Sequence, residues 1–159
     1  MVNTGRPVGR SLDDLAHYLE RDSTYGSLGR FLHGFGGSTT PVRVIDREAG
    51  VLDVDGVLTE ARDPSEIGWR QHGVRLVYDT TGAFRDPTQP AGAPGGSLQG
   101  HLEAGARVVV NSSAFKLKQK GVKLPDDAAM LIYGINHEAF QPGRHTLVSA
   151  ASCTTTALA

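Results

Sequence analysis

The sequence predicts an α/β protein with a Rossmann-like parallel sheet that carries helices on both faces. Three observations lead there. Apolar, β-prone runs are continuous rather than alternating, as in Val74-Arg75-Leu76-Val77-Tyr78, Val108-Val109-Val110 and Leu147-Val148, which is how strands covered on both faces read. Stretches with helical spacing of apolar residues lie between such runs. Finally, Thr80-Thr81-Gly82, Asn111-Ser112 and Ser152-Cys153 each fall just after an expected strand, where ligands gather in this architecture.

Taken in order, Ser11 is an expected N-cap, with Asp13 and Asp14 favourable in the first turn. Leu12, Leu15, Ala16 and Leu19 continue at helical spacing, and Asp22-Ser23-Thr24-Tyr25-Gly26 ends the helix in a turn. The stretch from Arg30 to Gly37, with Gly34-Phe35-Gly36-Gly37, reads as a mobile connection. Strands are expected at 42–45, 51–54 and 57–58, the last two joined by a tight Asp55-Gly56 turn. Arg62-Asp63-Pro64-Ser65-Glu66-Ile67 reads as a loop entering a helical turn. A strand at 74–80 is closed by Thr81-Gly82. Residues 86–97, with three Pro and three Gly, form a loop. A helix at 98–104 with Gly105 as its C-cap precedes a strand at 107–111. Strands at 131–135 and 146–149 complete the set.

Composition narrows the class. The 159 residues suffice for a buried core, and 39% hydrophobic with 21% charged residues is ordinary for a soluble globular chain. A net charge of −1 makes no electrostatic case for nucleic acid or membrane as a partner. One cysteine cannot form an internal disulfide, no apolar run reaches the roughly 18 residues of a membrane span, and the start lacks a signal-peptide stretch. The expectation is a cytoplasmic protein. Lys116, Lys118, Lys120 and Lys123 read as a solvated loop surface. His17 reads as structural on its helix, and His33, His72, His101 and His145 show no metal-ligand spacing.

Cys153 is the most informative residue. A lone thiol between small and hydroxyl residues, at an expected strand-to-helix junction, is placed to form a thiolate, because a helix N-terminus offers unpaired N–H groups and partial positive charge. The same groups, with the hydroxyls of Ser152, Thr154 and Thr155, suit an anionic substrate group such as phosphate.

The segment Ala151-Ser152-Cys153-Thr154-Thr155 resembles the nucleophile signature of phosphorylating glyceraldehyde-3-phosphate dehydrogenases. Four further segments resemble that family in order: residues 15–26, Arg62-Asp63-Pro64 through Trp69, Asp79-Thr80-Thr81-Gly82-Ala83-Phe84, and Tyr133-Gly134-Ile135-Asn136-His137-Glu138. The similarity is interrupted near 28–41, 86–97 and 115–128. It implies oxidation of a phosphorylated aldehyde through a thioester on Cys153, with NAD or NADP and inorganic phosphate. Ser152 and Thr154 match positions that contact substrate or attacking phosphate. Arg62, Thr81 and Asn111 match cofactor positions, with Ser112 competing with Asn111 for its role. Val2-Asn3-Thr4 matches the end of the family's second strand, and Thr4 in place of an acidic residue, with Arg6 nearby, leans towards NADP.

The sequence departs from the family pattern at both ends. It has no first strand with a Gly-rich turn, so the first βαβ unit is missing. No histidine follows Cys153, so the general base and the second, catalytic domain are missing too. The expected organisation is a partial nucleotide-binding domain over 1–152 and the start of a truncated catalytic domain over 153–159. His137 is the nearest stand-in for the base, but its segment reads as a turn held by its own side chains. The chain is therefore expected to be a fragment of a longer polypeptide, inactive by itself, whose parent is a homo-oligomer. Its incomplete sheet is expected to leave an apolar edge open. The competing reading is a non-catalytic nucleotide-binding or interaction module derived from the family. An enzyme acting on another phosphorylated aldehyde, such as erythrose 4-phosphate, is not separable from the first reading by sequence.

Overall fold

A computed structural model describes residues 2–3, 11–23, 26–35, 42–46, 51–54, 58–59, 61–117 and 121–151. The chain divides into two compact units, Met1–Ala61 and Arg62–Ala159. The division falls inside the stretch expected to be one nucleotide-binding domain, and the expected boundary at 152/153 lies outside the described residues. No helix among the described residues is long and apolar enough to cross a membrane.

In the first unit, helix α1 (Leu12–Glu20) starts where the sequence places it. Ser11 Oγ accepts from the Asp14 N–H at 3.1 Å, and the Asp14 carboxylate accepts from the Ser11 N–H at 3.1 Å. This reciprocal capping box satisfies two N–H groups that a helix start otherwise leaves unpaired. Leu15 is buried with Val42 and Leu52, and Leu12, Ala16, Leu19, Leu28 and Val44 pack around them. Val42 and Val44 are on strand β4 (Val42–Asp46), which pairs antiparallel with β5 (Val51–Val54), placing Leu52 opposite Val44.

Three features of this unit differ from the sequence expectation. The segment after Ser27 is helix α2 (Leu28–His33) rather than a connection. Its N-cap is Ser27, whose Oγ accepts from the Arg30 N–H, and it ends at Gly34 with φ +73°. Short strands at Arg21–Asp22 and Gly26–Ser27 pair antiparallel and close the turn between the helices. Finally, the strand after β5, Leu58–Thr59, does not form a hairpin with it. It pairs parallel with Val2–Asn3, while β5 takes β4 as its partner. Local turn chemistry at Asp55-Gly56 suggested otherwise, but the apolar face shared by Val42, Val44 and Leu52 decides the register. Residues 55–57 lie outside the described set.

The second unit is an incomplete Rossmann-like α/β fold. Strands at Leu76–Asp79, Val108–Asn111, Ala128–Met130 and Leu147–Ser149 are all parallel, with the strand of 147–149 inserted between those of 108–111 and 128–130. Helix α3 (Leu98–Glu103) is the crossover between the first two and the one α-helix among this unit's described residues. The Ser97 hydroxyl accepts from the Gly100 N–H at its N-terminus and donates to the Pro90 carbonyl at 2.9 Å, so one group both caps the helix and anchors the 86–97 loop. Gly105, just past the helix, has φ +113°, and a Cβ there would come within 2.5 Å of Arg70 Cβ. Only glycine fits that approach.

The strand expected at 131–135 lies earlier, at Ala128–Met130. Asn136 accounts for the difference. Its Oδ1 accepts from the Ile132 N–H at 2.7 Å and its amide donates to the Met130 carbonyl at 3.0 Å, folding 131–136 into a turn. Successive side chains point to opposite sheet faces. One face buries Val77, Val109 and Leu147. The other forms an open apolar hollow of about 530 Å3 lined by Leu76, Val108, Val110, Leu131, Phe140 and Val148. An apolar sheet face is thus exposed as well as the expected edges: among the described residues the outer strands of 76–79 and 128–130 have a partner on one side only, and Leu76, Tyr78 and Met130 on them are exposed.

Candidate functional site at the strand ends of the second unit

Strand register brings three polar side chains into one row. Asp79 pairs with Asn111, and Asn111 with Ser149, at the carboxyl ends of their strands. All three are buried, at 3%, 0% and 1% exposure. Buried polar groups need partners, and each of these finds them in the loops that leave the sheet.

Asp79 Oδ1 accepts from the Thr81 N–H at 2.9 Å and from the Thr81 hydroxyl at 2.6 Å. The Thr81 oxygen then accepts from the Ala83 N–H at 3.2 Å. This folds residues 79–83 into a tight turn, with Gly82 at φ +68°. A Cβ at Gly82 would meet only Ser113 Oγ, at 3.7 Å, so the backbone there is open to close approach. Asn111 uses both ends of its amide inside the protein. Its Nδ2 donates to the Phe84 carbonyl, and its Oδ1 accepts from the Ser113 N–H at 2.6 Å. Ser149 Oγ donates to the Ser113 carbonyl at 2.9 Å. The 80–85 and 112–117 loops are therefore fixed to the sheet by its own side chains.

Of the expected cofactor residues, Thr81, Ser112 and Arg62 are exposed, whereas Asn111 is enclosed. The Ser112 N–H donates to the Asp79 carbonyl at 2.9 Å, so the hydroxyl residues Thr81 and Ser112 stand at adjacent strand ends. Between the two competing residues, Asn111 holds the loops and Ser112 faces solvent. Beside them, a cleft of about 340 Å3 is lined in part by Gly82, Arg85, Gln89 and Lys116. Arg62 precedes Asp63, whose carboxylate accepts from the Ser65 N–H at 2.9 Å and caps the short 3-10 helix Pro64–Glu66. Cys153, Ser152, Thr154 and Thr4 lie outside the described residues. His137 is exposed, and its Nδ1 accepts from the Gly134 N–H at 3.0 Å while its ring packs on Tyr133.

Sequence reading did not single out Asp79, His101 or Ser149. Asp79 carried a usable signal, an Asp two residues before a Thr at a strand end. His101 did not, because its partner Trp69 is 32 residues away. The Trp69 indole N–H donates to His101 Nδ1 at 3.1 Å, and both residues are buried. Burial lowers the His101 pKa, and the nearby Asp79 and Asp63 carboxylates oppose that shift more weakly.

No protein-family model matches the chain. Curated relatives do. It is 37% identical over 150 residues to a glyceraldehyde-3-phosphate dehydrogenase of Kitasatospora aureofaciens, a match covering 91% of this chain and 36% of that protein. It is 34% identical over 150 residues to glyceraldehyde-3-phosphate dehydrogenase 1 of Nostoc sp. (strain PCC 7120), covering 92% and 36%. Glyceraldehyde-3-phosphate dehydrogenase 2 of Bacillus subtilis (strain 168) is 27% identical over 152 residues, covering 94% and 36%. The match thus spans 36% of the length of each of these relatives. With a parallel sheet whose strand ends carry Thr81, Gly82 and Ser112, the chain belongs to the glyceraldehyde-3-phosphate dehydrogenase family, matching an N-terminal portion of its members.

Proposed function

We propose that this chain is the dinucleotide-binding and nucleophile-bearing portion of an enzyme that oxidises a phosphorylated aldehyde, using NAD or NADP and inorganic phosphate. The observation that carries the proposal is the pairing of exposed Thr81 and Ser112 beside the open Gly82 backbone at adjacent strand ends. Nucleotides bind at such ends in parallel sheets. Hydroxyls suit ribose and phosphate oxygens, and an uncrowded glycine lets a pyrophosphate approach the main chain. The strand-end residues therefore fit a dinucleotide, with Arg62 and Thr4 as further contacts and Asn111 as the residue that positions the Ser112 loop. A bound nicotinamide dinucleotide supplies the hydride acceptor.

Cys153 does the covalent chemistry in this proposal. Its thiolate adds to the aldehyde carbon to give a thiohemiacetal, which is oxidised to an acyl thioester. A phosphate oxygen then attacks the thioester carbonyl and displaces the thiolate. Sulfur serves both steps, as a good nucleophile and as a good leaving group. Ser152 and Thr154 offer hydroxyls to the substrate or attacking phosphate.

Two measurements on the 159-residue chain test the reading. Titration with NAD or NADP should shift the amide resonances of Thr81, Gly82 and Ser112, and the preferred dinucleotide identifies the cofactor. The rate of Cys153 alkylation by iodoacetamide should show an apparent pKa well below the ordinary thiol value of about 8.5. An ordinary thiol together with unmoved strand-end amides would defeat the dehydrogenase reading in favour of a non-catalytic module.

A further inference from the structure

Among the described residues, two buried side-chain atoms of the second unit have no hydrogen-bond partner, Asp79 Oδ2 and His101 Nε2. Asp79 is 3% exposed and His101 5%. The other imidazole nitrogen, Nδ1, accepts the Trp69 indole N–H. An indole nitrogen only donates, so Nδ1 carries no proton and the neutral ring holds its proton on Nε2. The unmatched atoms are therefore one donor and one acceptor. The charges acting on the ring are Asp79, at the end of its strand, and Asp63, ahead of the 3-10 helix. Trp69 and Phe84 bring aromatic rings against it, with centroids at 5.9 and 6.2 Å.

We infer that His101 and Asp79 form a proton-sensitive positioning pair, joined by one interior water between Nε2–H and Oδ2, which sets the Thr81 turn. Interior waters characteristically satisfy buried donors and acceptors that lack protein partners. Holding Oδ2 orients the carboxylate so that Oδ1 meets both the N–H and the hydroxyl of Thr81. The Trp69 bond that orients the ring against Asp79 persists only while the imidazole is neutral. Protonation puts a hydrogen on Nδ1, facing the Trp69 N–H, and that bond is lost.

Burial resists this protonation, so the native pKa lies below the ordinary 6.5 of the unfolded chain. Well above pH 6.5 neither state binds a proton at this site. Below pH 6.5 the unfolded chain takes up a proton that the native state refuses. The stability contributed is therefore complete above the unfolded value and is lost as pH falls through the native one. This pair does not depend on the dehydrogenase reading, which concerns what the Thr81 turn binds.

The test is long-range 1H–15N spectroscopy of the histidine rings in the 15N-labelled 159-residue chain, from about pH 8 to about pH 4, a span that brackets histidine titration. His101 is assigned by its loss in His101→Gln. The expected pattern is an Nε2–H ring with a water cross-peak, a titration midpoint below 6.5, and Thr81 and Ala83 amides that follow that midpoint. In His101→Gln those amides lose the transition. Asp79→Asn lowers the midpoint further by removing a negative charge, and Trp69→Phe raises it by freeing Nδ1, so either variant serves if the other fails to fold. An Nδ1–H ring, a midpoint at the ordinary value, or a Thr81 amide indifferent to His101 would each overturn the pair. An Nε2–H without a water contact would overturn the bridge.

Discussion

The two units differ in where they keep their polar side chains. In Met1–Ala61 the core of the described residues is aliphatic (Leu15, Val42 and Leu52), and the side chains of Ser11, Asp14 and Ser27 cap helix starts. In Arg62–Ala159 the aliphatic core is accompanied by buried Asp79, Asp86, Ser97, His101, Asn111 and Ser149. An aliphatic core specifies volume and pattern and tolerates rearrangement. A buried hydrogen-bonded network specifies positions, because each atom left unmatched is costly. The strand ends of the second unit are thus geometrically determined, as a ligand site requires.

Four substitutions probe that contrast. The largest effect should come from Leu147→Ala. Leu147 is fully buried on a strand flanked on both sides, and such truncations cost about 2–5 kcal/mol. Trp69 is the sole tryptophan and is buried in the same unit, so its fluorescence during urea unfolding measures the loss. A negligible shift of midpoint would mean that the sheet core is not what holds this unit.

Next comes Asn111→Ala, which strands the Phe84 carbonyl and the Ser113 N–H and should cost about 1–3 kcal/mol. Its neighbour sharpens the comparison, since Ser112→Ala at an exposed position should change stability by less than about 0.5 kcal/mol while weakening dinucleotide binding. Similar stability losses for the two variants would erase the distinction between a positioning and a contacting residue. Among the substitutions that remove a hydrogen bond, the smallest effect is expected for Ser11→Ala in the first unit, about 1 kcal/mol for a lost N-cap. Hydrogen exchange should show it as faster exchange within α1, and unchanged protection there would refute the capping role.

The parts of the fold that could be read in advance are those with local causes. Helix α1 was legible because its cap and its apolar spacing lie within nine residues of each other. The strands of 76–79, 108–111 and 147–149 were legible because each is a continuous apolar run bounded by turn residues. The strand of 128–130 was misplaced, since Leu131-Ile132-Tyr133 has the stronger β character while Ala128-Ala129-Met130 has the partner. Helix α2 was missed because its glycine-rich surroundings suggested a connection. At the site, Thr81 and Ser112 stood out by following strands, whereas the inward roles of Asp79 and Asn111 did not.

By itself, then, the sequence determined the α/β class, the Ser11 cap of α1, three of the four parallel strands and the family, because short-range spacing and motif order carry that information. Only the tertiary structure decided strand partners, the division after Ala61, which face of each strand is buried, and the Trp69–His101 hydrogen bond. Those depend on groups distant along the chain meeting in space, where burial turns an unmatched donor or acceptor from a trivial matter into a decisive one.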